Sequence, residues 1–213
     1  ARGIGIYDSR GKTVQRRTYP EFLDGVRRAA ARMAAAGVAP GDRVLVCQPT
    51  SWGWLDAWFG ACWLKALPVA LAPMGNMAAA GRYLDKVEGI IERIGAKRLI
   101  ADAALREEAR KQGARRTAAA ILTPDELHAL TPSAAVPEPR ADAEELAFLQ
   151  LTSGSTGRPR AVMLPHRAAL HNTQALDDGA CAPLGGHATA RIDSVVNWLP
   201  LSHDMGLVGT LLY

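Results

Sequence analysis

The sequence predicts an α/β fold in which a mainly parallel sheet is flanked by helices on both faces. Two observations carry this expectation. Short apolar runs suited to strands buried on both faces alternate with segments of helical period, and Gly or Pro turns punctuate them without any internal repeat. Composition agrees: 48% of the 213 residues are hydrophobic and 22% charged, with a formal net charge of +4. That balance excludes a disordered chain and leaves ample material for a core.

The first helix is predicted at Thr18-Tyr19-Pro20-Glu21, which has the form of a capping box with Pro early in the helix. Phe22, Val26, Ala30 and Met33 then recur at helical spacing, and Gly37 ends the segment. Pro40-Gly41-Asp42 reads as a turn into a strand, Arg43-Val44-Leu45-Val46-Cys47. From Ser51 to Leu67 the chain is apolar nearly all round, with Trp54 and Trp58, then Phe59 and Trp63, spaced four apart. Such a helix must be buried, and core packing is the expected role of its tryptophans rather than lining an acyl tunnel. Val69-Ala70-Leu71 follows as a strand, and Tyr83, Leu84, Val87, Ile90, Ile91 and Ile94 mark an amphipathic helix closed by Gly95. Arg98–Ala101 and Ala119–Leu122 are expected to be short strands with a polar helix between them. Arg27, Arg28 and Arg32 read as a solvated helix face.

Residues 131–145, rich in Pro, Ala and acids, read as a linker. They divide an α/β segment, 1–130, from the start of a second one, 146–213. In the second, Leu146–Leu151 and Ala161–Leu164 are predicted strands, followed by a helix over about Arg167–Leu176. The chain starts without Met and stops inside the apolar run Val208–Tyr213, so it is expected to be a piece of a longer protein.

Charge and cysteine usage narrow the function classes. A charge of +4 spread over this length, with arginines scattered among acids, predicts no nucleic-acid partner. Cys47, Cys62 and Cys181 are odd in number and far apart, which predicts a reducing compartment, the cytoplasm by default. The most apolar stretch, Trp52–Pro73, is interrupted by Asp56, Lys65 and Pro68 and falls short of the roughly 20 apolar residues of a membrane span. Zinc has no support, because paired Cys-x-x-Cys and His-Glu-x-x-His are both missing.

The chemistry is concentrated between the last two predicted strands, in Thr152-Ser153-Gly154-Ser155-Thr156-Gly157-Arg158-Pro159-Arg160. Its glycines permit close backbone approach, its hydroxyls and amides can donate to phosphate oxygens, and its arginines add fixed positive charge. The spacing fits neither a Walker A loop, a Gly-x-Gly-x-x-Gly fingerprint, nor a Gly-x-Ser-x-Gly elbow. Many hairpin turns share this composition, so on chemistry alone a plain turn stays open as a reading.

The order of residues is more specific. Phe148 to His166 resembles the phosphate-binding signature of the adenylate-forming superfamily, which includes acyl-CoA synthetases, fatty acyl-AMP ligases and adenylation domains. Asn197-Trp198-Leu199-Pro200-Leu201-Ser202-His203-Asp204-Met205-Gly206-Leu207 resembles its next motif, and the His-Asp-Met-Gly-Leu form is similar to the fatty acyl-AMP ligase branch. Gly41–Val44 and Phe59–Pro73 resemble its early segment. Arg160-Ala161 replaces the Lys-Gly that commonly ends the signature, and Ser202 stands where an aromatic is usual; Arg keeps the charge without the compact ammonium.

The resemblance implies the N-terminal part of the large domain of an enzyme that joins a carboxylic acid to ATP, releases pyrophosphate and passes the acyl adenylate to an acyl carrier protein. It implies that Thr152, Ser153, Gly154, Ser155, Thr156, Gly157 and Arg160 hold ATP phosphates with Mg²⁺. It implies that His203 is catalytic and that Asp204, Met205 and Gly206 share the acid-binding end with it. Residues 1–213 alone are then expected to be inactive. Two alternatives stay open: coenzyme A as acceptor, and a non-catalytic interaction module. The residues have plainer roles as well, His203 and Asp204 as helix caps and His166 as a cap at the preceding helix.

Overall fold

The computed structural model describes residues 2–8, 10–75, 79–132, 134, 136–152, 159–182 and 194–212. Thr18 begins the first helix as the sequence predicts. Its side chain accepts from the Glu21 amide while Glu21 reaches back to the Thr18 amide at 2.7 Å, which starts α1 (Tyr19–Ala35). Ahead of it lies an antiparallel pair absent from the sequence reading, β1 (Gly3–Tyr7) with β2 (Thr13–Thr18).

The main sheet has six strands among the described residues: β3 (Arg43–Val46), β4 (Leu67–Ala70), β5 (Ala96–Ile100), β6 (Ile121–Leu122), β7 (Leu146–Thr152) and β8 (Arg160–Pro165). Their order is β6-β5-β3-β4-β7-β8, and every neighbouring pair is parallel except β7 with β8. The linker at 131–145 thus joins strands of one sheet, since β7 beyond it pairs with β4 before it.

Side-chain alternation along the strands divides the core between the two faces. Val44 and Val46 of β3 face one cluster with α1 and α2 (Trp52–Trp63), whereas Leu45 and Cys47 face another with α3 (Ala80–Ile94) and α4 (Ala103–Lys111). In α2 the rings of Trp54 and Trp58 stack at 5.1 Å, both about 1% exposed, and Trp58 leans on Phe148 of β7. These two tryptophans are core residues. Gly60 lets α2 approach α1 closely: a Cβ there would lie 2.8 Å from Ala29 Cβ and 3.0 Å from the Ala30 nitrogen. Gly95 closes α3 at φ 61°, the left-handed cap expected of it.

One element departs from expectation. Ala119 and Ala120 belong to α5 (Arg115–Ala120), and only Ile121 and Leu122 form strand. Alanine favours helix more than any other residue and is depleted in strands, so the alanine run extends the helix up to the first β-branched residue. A sixth helix, α6 (Pro124–Ala129), is capped by Thr123 and Glu126. No described helix is long and apolar enough to cross a membrane.

Candidate functional site

β3, β4, β5 and β7 are parallel, so their carboxyl ends share one edge of the sheet, and that edge is where ligands enter open α/β sheets. The hydroxyl-rich turn leaves β7 there. Ser153, Gly154, Ser155, Thr156, Gly157 and Arg158 lie outside the described residues. Their flanks do not: Thr152, last in β7, is the register partner of Arg160, first in β8. The hairpin therefore opens and closes the turn between two exposed residues, one hydroxyl and one guanidinium. Arg93, at the end of α3, donates to the Pro159 carbonyl at 3.3 Å and ties the exit of the turn to the helix layer. Two residues before Thr152, Gln150 is buried and its Oε1 has no hydrogen-bond partner. The sequence reading gave Gln150 no role; a buried polar residue in an apolar strand was the signal.

The second motif is built around a tight reversal. Asn197 Oδ1 accepts from the Leu199 amide at 2.8 Å, and its Nδ2 donates to the Gly206 carbonyl at 3.1 Å. Asn197 thus staples both ends of the 199–206 segment, a positioning role the sequence reading did not assign. The His203 amide donates to the Pro200 carbonyl at 3.0 Å. Gly206 packs so tightly that a Cβ would lie 2.3 Å from the Pro200 oxygen. Leu201 and Leu207 are buried and share a core cluster with Phe148 of β7. The core therefore anchors both the strand that leads into the turn and the segment that carries His203.

α7 (His166–Cys181) starts after β8, with Pro165 rather than His166 in the capping position and no side-chain cap bond. His203, in contrast, caps α8 (Asp204–Gly206), its side chain 3.4 Å from the Met205 amide. The Met205 amide lies closer to Asp204 Oδ1, at 2.8 Å, so Asp204 is the better acceptor of that proton. His203 Nδ1 is 2.5 Å from Asp204 Oδ1, so the two side chains are in direct polar contact. Both side chains are largely exposed, as is Met205.

Neither Cys47 nor Cys62 has the character of a nucleophile: burial pushes the Cys47 thiol up to about 11 and the Cys62 thiol to about 12. Among the described residues no group of three His, Cys, Asp or Glu could hold a metal ion.

A family profile described as "AMP-binding enzyme" matches residues 6–213. A Caulobacter vibrioides protein named as an acyl-CoA synthetase is 30% identical over 213 residues, covering 99% of this chain and 35% of its own length. A medium-chain-fatty-acid–[acyl-carrier-protein] ligase of Teredinibacter turnerae is 37% identical over 75 residues, 35% of this chain and 11% of the relative. A structure from a study of fatty acyl-adenylate ligases of E. coli and L. pneumophila superposes with a TM-score of 0.85 at 26% identity, covering 99% of this chain and 37% of that one. At 35% of the full-span relative's length, the chain spans about a third of the protein it matches.

Proposed function

The chain belongs to the AMP-binding enzyme family, and from that premise we propose that it carries the triphosphate-holding part of an ATP-dependent acyl-activating enzyme. The protein joins a fatty or related carboxylic acid to ATP. The carboxylate oxygen attacks the α-phosphorus, the bond to the bridging oxygen breaks, and pyrophosphate leaves with that electron pair. An external thiol then takes the acyl group and releases AMP.

The observation that carries this reading is the pairing of Thr152 with Arg160 at the carboxyl edge of the sheet, which flanks the hydroxyl-and-glycine sequence 153–158. An ionised carboxylate needs no general base, so the protein has to align two anions and offset their repulsion. Thr152, Ser153, Ser155 and Thr156 are assigned as hydroxyl donors, Gly154 and Gly157 as backbone amide donors, and Arg160 as a fixed charge toward the β- and γ-phosphates. His203 is proposed to meet the acid carboxylate and the α-phosphate through Nε2, the ring being oriented by Asp204 at Nδ1. Met205 and Gly206 form the adjoining wall.

Thr152, Ser153, Ser155 and Thr156 supply hydroxyls rather than carboxylates, a donor set that suits Mg²⁺, which is commonly bound through substrate phosphates and retained waters. When bound it neutralises phosphate charge.

We assign the thiol to an acyl carrier protein. The match to an acyl-carrier-protein ligase and the likeness to fatty acyl-adenylate ligases support this choice. Coenzyme A is the second reading, favoured by the name of the Caulobacter relative. Carboxylate-dependent ATP–pyrophosphate exchange, run on the full-length protein across fatty, aryl and amino acids, tests the reading. Exchange is expected with fatty acids and absent from residues 1–213 alone, and no exchange with any acid overturns it. Thioester formation on carrier protein or on coenzyme A then decides the acceptor.

A further inference from the structure

A second site, away from the turn, emerges where the connections of the sheet reverse. β3 and β5 are parallel neighbours, yet β3 leads into α2 on one face and β5 into α4 on the other. Such a switch point leaves a crevice at the carboxyl ends of the two strands. A cavity of about 90 Å³ lies at this crevice, against Ile100, the last residue of β5, and Gln48, just beyond β3. α1 walls it on one side and α6 on another.

Its lining is electrostatically unbalanced. Arg17, Arg28 and Arg32 face it with His128, against one carboxylate, Asp56. That carboxylate is committed: Arg17 Nη1 donates to both of its oxygens at 2.9 Å. Gly25 exists for this clamp, since a Cβ there would lie 2.5 Å from Asp56 Oδ1 and 2.9 Å from Arg17 Nη1. The side chains of Arg28 and Arg32 have no hydrogen-bond or ion-pair partner among the described residues. They stand four apart on one helix, a like-charge spacing that is destabilising unless an anion lies between them. Gln48 contributes the opposite need, because its Oε1 is buried with no donor.

We propose that this cavity binds hydrogen phosphate, whose unprotonated oxygens accept from Arg28 and Arg32 and whose P–OH donates to Gln48 Oε1. The volume leaves room for a small tetrahedral oxyanion. Inorganic phosphate keeps one P–OH near neutral pH. Sulfate has none, and a phosphomonoester with a second pKa of about 6 has lost its own. A site built around a ligand hydroxyl rejects analogues that lack it.

The test is calorimetric titration of the full-length protein with inorganic phosphate, sulfate and glycerol phosphate. Phosphate is expected to saturate one site and to bind at least tenfold more tightly than either of the others. Arg28→Gln and Arg32→Gln each weaken it at least tenfold. Gln48→Met brings phosphate and sulfate to within threefold of each other, a change that mere loss of structure does not produce. Arg160→Gln leaves this binding intact, which separates it from the proposed ATP turn, and pyrophosphate exchange in Arg28→Gln and Arg32→Gln stays at the wild-type rate. Absence of saturable phosphate binding, equal binding of phosphate and sulfate to the unaltered protein, or full affinity in Arg28→Gln and Arg32→Gln overturns the proposal.

Discussion

Gly206 offers the sharpest probe of how the fold supports the proposed chemistry. In Gly206→Ala the new Cβ is placed 2.3 Å from the Pro200 oxygen, where such contacts do not fall below 3.0 Å, so the two must separate by at least 0.7 Å. Nothing flexible can absorb this, because the neighbours are the carbonyls of Leu199 and Pro200. The same Pro200 carbonyl accepts from the His203 amide, so the displacement passes directly to His203. Overpacking of this kind costs about 1–3 kcal/mol. A misplacement near 1 Å at a reacting centre lowers rates by about 10²-fold. Measured on the full-length protein, pyrophosphate exchange is expected to fall about 10²-fold, while urea unfolding records a loss of about 1–3 kcal/mol. Gly209→Ala is the control, since its Cβ meets only the end of the Met205 side chain at 3.5 Å. Unchanged exchange in Gly206→Ala, or an equal loss in Gly209→Ala, refutes the reasoning.

Three further outcomes follow from the packing and the charges. Gly60→Ala forces α1 and α2 apart at Ala29 and the Ala30 backbone, and urea unfolding should show a loss of about 1–3 kcal/mol; wild-type stability contradicts the close crossing. Trp58→Ala empties the stack with Trp54 and the contact with Phe148, at a cost of about 3–5 kcal/mol by the same measurement, and a loss below 1 kcal/mol contradicts its place in the core. Glu126 is held down to about 2, first by its bond from Arg106 and then by the Thr123 backbone. Its folded pKa lies below that of the unfolded chain, so its stabilisation is full above about 4.3 and is lost as pH falls through about 2. The carboxylate is half exposed, which limits the effect to about 1 kcal/mol. Unfolding of Glu126→Gln should differ from wild type at neutral pH and converge with it in acid; a pH-independent difference contradicts the assignment.

Where side-chain chemistry is local, the sequence could be read directly. The Thr18–Glu21 box and the Gly95 cap each rest on residues a few positions apart, and both helix limits were legible. The buried Trp54–Trp58 stack followed from a helix with no polar face. The β1–β2 pair was not legible, because β2 reads Thr-Val-Gln-Arg-Arg-Thr and Arg17 is explained by Asp56, 39 residues later, and by the Trp52 ring it covers. Arg28 and Arg32 read as a solvated face, and Arg28 is exposed; what the sequence did not show is the cavity they border. Their cavity is completed by Gln48 and Asp56 from the β3–β4 connection and by His128 of α6, which the sheet brings to one edge. At the proposed active site, residue order pointed to the segment between Thr152 and Arg160 and to the His203 segment as candidates, but not to the staple by Asn197 or the orphaned Gln150 oxygen. Those depend on which groups the folded chain leaves paired.

The central claim is that the turn between Thr152 and Arg160 grips the nucleotide beside His203. A crystal structure of the full-length protein with a non-hydrolysable acyl-adenylate analogue and pyrophosphate tests it most directly. The account predicts pyrophosphate against the Ser153–Gly157 hydroxyls and amides, with the adenylate phosphate in reach of His203 Nε2. Adenylate density elsewhere, or pyrophosphate held away from that turn, would contradict it.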